Sequence, residues 1–139
     1  MSFEAFKNYL SGTQMTFSYK PVLVAALLDV VDRDGKTTSS RLIDSFREFY
    51  LDRLRRGLPT EKERGVSPSP MLKPDEISDE QIWNILVRYP LELMKEFIQF
   101  DNEIVRIQPI IWKQLTSDDL IQLKQITQQR IEKYYKGIK

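Results

Sequence analysis

From Tyr19 to Val31 the chain has almost no polar side. Tyr19-Lys20-Pro21 leads into Val22, Leu23, Val24, Ala25, Ala26, Leu27 and Leu28, and only Asp29 interrupts before Val30 and Val31. A helix that is apolar nearly all round is stable only when neighbours surround it, so this segment predicts a central helix packed from several directions. Pro21 suits its first turn, where a missing N–H costs nothing. Asp32-Arg33-Asp34-Gly35 is a strong turn signal that ends it. The run is far too short to span a bilayer.

The neighbours can be read from the same kind of pattern. Ser2 predicts a cap for a short first helix carrying Phe3, Phe6 and Leu10, and residues 11–14 read as a loop. Lys36-Thr37-Thr38 is a stub of strand, and Ser39 or Ser40 offers the next cap. In the helix that follows, Leu42, Ile43, Phe46, Phe49, Tyr50 and Leu54 share a face, and Gly57 with Pro59 ends it. Residues 58–77 hold four prolines and several charges, and predict a long irregular loop between two helices. Ser78 and Gln81 form a capping box, and the helix they open carries Ile82, Ile85 and Leu86 inward. Tyr89 before Pro90 predicts a break there, with a restart through Met94. Residues 97–100 and 104–107 flank the polar turn Asp101-Asn102-Glu103 and read as a hairpin. Thr116 and Asp119 supply a second capping box, for a last helix over about 120–135.

This order predicts a single domain over residues 1–139, mainly α with a small β-hairpin. Its core is winged-helix-like, with a C-terminal helix added. In a winged helix the third helix reads a nucleic-acid groove and the hairpin is the wing. One feature departs from that pattern, because a standard helix-turn-helix joins its helices through a few residues and here the 58–77 loop intervenes.

Composition narrows the chemistry. The 139 residues include no Cys and no His, which removes thiolate and imidazole nucleophiles, bases and metal ligands. The cluster Asp29, Asp32 and Asp34 lacks the spaced ligands of a calcium loop and reads as turn chemistry. No paired carboxylates mark an active site, so no catalytic residue, metal or cofactor is expected and stand-alone catalysis is not. Trp83 and Trp112 read as packed anchors. The start of the chain lacks a signal-peptide pattern, and together with the missing cysteines this predicts a cytoplasmic protein without membrane contact.

A net charge of +1 argues against a tight, indiscriminate polyanion binder but leaves room for a local basic surface. Arg53, Arg55, Arg56, Lys62 and Arg64 cluster where the second amphipathic helix runs into the loop. Such guanidinium groups suit phosphate contact, and they equally suit a helix C-terminus with Asp52, Glu61 and Glu63 at hand. Arg88 and Tyr89, with Lys95 nearby, would present a cation and a ring at a helix end, and Arg106 would sit on the wing. The candidate nucleic-acid-binding set is therefore Arg53, Arg55, Arg56, Arg64, Arg88, Tyr89, Lys95 and Arg106.

Two stretches, residues 17–29 with Tyr19-Lys20-Pro21 and residues 46–59 with Arg53-Leu54-Arg55-Arg56-Gly57-Leu58-Pro59, carry a resemblance that the closing Tyr134-Tyr135 extends. The chain resembles an accessory, non-motor domain that follows the motor in some bacterial superfamily II helicases. Related Tyr-Lys-Pro helices occur in HNH-associated restriction proteins. The resemblance implies a part in DNA processing or phage defence and brings no catalytic residues. More distantly, the chain is similar to sulfur-recognising domains of phosphorothioate-DNA restriction proteins. That likeness would place a pocket at Arg88, Tyr89 and Pro90, although the histidine expected beside it is missing. The expected function is a non-catalytic module binding double-stranded DNA in a restriction or helicase system. The alternative is a protein-protein docking module for a helicase or nuclease partner.

Overall fold

The apolar segment forms α2 (Tyr19–Val30), and eight of its residues, from Tyr19 to Leu28, are buried. In the computed structural model, which describes residues 2–12, 17–62 and 68–138, α2 packs against α3 (Ser39–Arg55) and α6 (Ser117–Lys136). Helix α1 (Phe3–Gly12) lies on α6, and α4 (Asp79–Leu86) lies on α3. Short strands β1 (Lys36–Thr38), β2 (Ile98–Phe100) and β3 (Ile104–Ile107) form an antiparallel sheet in the order β1-β3-β2. Val105, Ile107 and Ile98 point from the sheet into the helical core, and a four-residue helix, α5 (Pro109–Trp112), follows β3. The fold is thus mainly helical with a small hairpin, and β1 pairs with the outgoing strand of that hairpin.

Local chemistry sets most boundaries. Ser78 and Gln81 close one capping box and Thr116 and Asp119 close another, as their spacing predicts. The Ser2 hydroxyl accepts from the Ala5 N–H at 3.1 Å. At the turn after α2, Asp32 Oδ1 accepts from the N–H groups of Asp34 (2.8 Å) and Lys36 (3.1 Å), while Gly35 takes φ +74°.

Four expectations need correction. Helix α3 is capped by Thr38, whose hydroxyl accepts from Arg41 N–H, and not by Ser39 or Ser40. Strand β1 leaves Thr38 extended, the conformation a cap requires, whereas Ser39 is already helical and donates its hydroxyl to Asn102 O at 2.9 Å. Leu54 does not share the buried face of α3 and is 41 % exposed. Pro90 does not break the helix after α4. A π-helical turn, Val87–Leu91, carries the chain through it, because the widened turn needs no N–H at that position. The described part of the 58–77 segment is irregular apart from one turn at Pro70–Leu72, as expected, and it lies against the core, since Thr60, Glu61, Ser69, Met71 and Ile77 are all buried. Of the stretch expected as a loop at 11–14, helix α1 takes 11 and 12, and 13–14 lie outside the described residues.

Candidate nucleic-acid interface

The arginines at the end of α3 are largely committed within the fold. Both terminal nitrogens of Arg55 donate to Glu48, at 2.9 to 3.0 Å, and Arg56 reaches Asp52 at 3.4 Å. Arg55 holds the Glu48 carboxyl below its usual range. The Arg53 guanidinium lies 3.5 Å from the centre of the Tyr135 ring, and its Nε donates to Pro59 O at 2.6 Å. A phosphate would have to displace these contacts before gaining its own. Arg64 lies outside the described residues.

Arg88 and Tyr89 are exposed on the π-helical turn, with Tyr89 half-exposed and its ring 6.3 Å from that of Tyr19. Pro90 beside them is buried and faces the core. Neither element that a winged helix would offer to a groove is basic. Helix α4 opens on Asp79 and Glu80 and contains no Lys or Arg. The hairpin tip carries Asp101 and Glu103, and its backbone is tied to the start of α3 by Ser39 N–H donating to Glu103 O at 2.8 Å.

Lys95 and Arg106 are brought together, and two cations absent from the candidate set join them. Lys36, Arg41, Lys95 and Arg106 line one groove of about 1030 Å³ against the outer face of the sheet, beside Gln99, Ile104 and the carboxylates Asp32 and Asp101. The register places Lys36 and Gln99 on either side of Arg106 in one row across the three strands. Alternation puts that row outward, because Thr37 and Val105 in the next row are buried. Arg41 enters from the first turns of α3. In sequence Lys36 is only the start of a strand stub and Arg41 one charge of a helix; the cross-strand register joins Lys36 to Arg106, and the start of α3 beside the sheet adds Arg41.

Both carboxylates in the groove are occupied by backbone donors. Asp32 accepts from Lys36 and Asp34 N–H groups, and these, helped by the Lys36 and Arg106 charges, hold its pKa low. Asp101 accepts from Glu103 and Ile104 N–H groups, at 2.8 Å each, and is lowered by them. Lys95 pairs with Glu92 at 2.8 Å, which raises the lysine's pKa. With Glu92 counted on Lys95, four cations stand against three carboxylates, a small positive excess on a nearly neutral molecule.

Among the described residues no group of three or more Asp and Glu could hold a metal ion, and no helix is long and apolar enough to cross a membrane. Comparison of the chain with protein-family models, with curated proteins and with solved structures finds no match.

Proposed function

We propose that this chain is a non-catalytic module that binds the backbone of double-stranded DNA, in a bacterial restriction or helicase system. The observation that carries this reading is the groove in which β1, α3, β3 and the segment before β2 bring Lys36, Arg41, Arg106 and Lys95 to one surface. Each cation that meets a phosphate releases counterions, so a small cluster can hold a duplex at low salt on a protein of net charge +1. The acidic character of α4 and of the hairpin tip argues for backbone contact without insertion of a recognition helix.

Fluorescence anisotropy of a labelled duplex at two salt concentrations tests the reading. Affinity is expected to fall steeply with salt. Arg41→Ala together with Lys36→Ala should lower both affinity and slope, the slope by about one for each phosphate contact removed. Arg55→Ala with Arg56→Ala should do much less, because those side chains already have partners. A duplex that does not bind at low salt overturns the reading.

The second reading, a docking module for a helicase or nuclease, is favoured by Tyr89 and Leu93, which lie one turn apart and are 50 % and 54 % exposed. Binding of that kind would be nearly insensitive to salt.

A further inference from the structure

Two cations directly opposite each other on paired strands repel, and a fold with no use for the pair gains by separating them. Here Lys36 and Arg106 are such a pair, aligned by the β1-β3 register on the outer face of the sheet. Neither makes an ion pair within 4 Å among the described residues, and the same is true of Arg41. The carboxylates that share the groove with them, Asp32 and Asp101, keep an oxygen on backbone N–H groups of their own turns.

Arg106 adds an independent observation. Its Nε is sealed from solvent and finds no acceptor among the described residues, while the side chain as a whole is only part-buried. A sealed Nε cannot itself meet a ligand, so contact falls to the two terminal nitrogens of the fork, which pair with no carboxylate among the described residues. An anion with several oxygens suits the groove, because two planar forks, Arg106 and Arg41, and the point charge of Lys36 line it together. A single carboxylate offers oxygens in one plane; a phosphate offers them on a tetrahedron.

We infer that Arg106, Lys36 and Arg41 form a defined seat for one phosphate group on the outer face of the sheet. This rests on the DNA-binding reading, in which the occupant is a phosphodiester of the duplex backbone. Lys95, already paired with Glu92, lies at the margin of the seat and contributes long-range charge. Gln99, in the same row as Arg106, is placed to donate its side-chain amide to a neighbouring oxygen.

The test uses the full chain labelled with nitrogen-15, titrated separately with inorganic phosphate and with a short DNA duplex. The Arg106 Nε–H resonance and the Lys36 and Arg41 amides are followed by NMR. Phosphate is expected to move these signals together, and Arg106→Lys, which keeps the charge and loses the fork, should weaken duplex binding about tenfold. Lys36→Gln, at an exposed sheet face, should weaken phosphate binding without changing the circular dichroism, which separates loss of the seat from loss of the fold. If the duplex binds while phosphate leaves Arg106 unmoved, the seat is wrong and the DNA reading stands. If phosphate binds at Arg106 and the duplex does not bind, the seat stands and the DNA reading falls. Arg106→Lys that binds both ligands like the parent overturns the seat.

Discussion

Glu61 is a carboxyl group nearly closed off from water, and it receives hydrogen bonds from the Ser18 N–H, the Ser18 hydroxyl and the Tyr134 hydroxyl. Desolvation outweighs those bonds and raises its pKa above 4.5. An acid whose folded pKa is raised binds its proton more tightly in the fold. Its contribution to stability is therefore complete below the unfolded value and is lost as pH rises through the folded one. Glu61→Gln should consequently flatten the rise in stability as pH is lowered from neutrality towards 4.5, read from urea midpoints at several pH values. Asp32 and Asp101, whose pKa values are lowered, act with the opposite sign and only in more acid solution. Glu61→Ala leaves buried donors without an acceptor and should cost about 1–3 kcal/mol at neutral pH. None of this was legible in the sequence, where Glu61 reads as one charge among several in a proline-rich stretch. Burial came from the distant partners Ser18 and Tyr134, which no local pattern announces.

At the scale of elements, the turn between α2 and β1 is held from outside as well as from within. Trp112 of α5 donates its indole N–H to Arg33 O at 2.8 Å and lays its ring against Gly35. A Cβ on Gly35 would stand 2.6 Å from Trp112 Cδ2, on a residue whose φ is already +74°. Gly35→Ala should cost about 1 kcal/mol for the left-handed backbone, and more for the ring contact. Gly57→Ala, at φ +69° with open space around it, should cost about 1 kcal/mol. The difference between the two denaturation midpoints measures how tightly α5 clamps the turn. The turn itself, both capping boxes and the hairpin could be read in advance, because each depends on residues within a few positions of one another. The π-helical turn at Pro90 could not, since a helix that widens around a proline and one that ends there share the same sequence signal.

Across the whole molecule, one buried cluster joins α1, α2, α3, α4, α6 and the sheet, with Phe6 stacked on Phe97 at 5.0 Å between its first helix and the approach to β2. Leu123 on α6 is fully buried in that cluster, and Trp83 and Trp112, on α4 and α5, pack against it as partly buried residues. Leu123→Ala should destabilise the protein by about 2–5 kcal/mol. The loss should appear equally in far-ultraviolet circular dichroism and in tryptophan fluorescence, because a single core unfolds as one unit. Separate midpoints would show that α6 and the sheet side melt independently. The candidate interface belongs to this scale too. Lys36, Arg41, Lys95 and Arg106 stand far apart in the chain and each is unremarkable alone; the arginine cluster 53–56 stood out because it was contiguous, and its members are spent on Glu48, Asp52, Tyr135 and Pro59.

The pairing of β1 with β3, and the cover that α6 gives to α2, also fix when folding can occur. A ribosome releases Val22, Leu23 and Leu27 early, yet of the two helices that cover them, α3 and α6, the second is made only after every other described element. Strand β1 likewise waits for Ile104–Ile107 before its backbone finds a partner. During synthesis the most apolar part of the chain therefore stays open on the side that α6 covers, and a pause before α6 would leave that side to aggregation or to a chaperone.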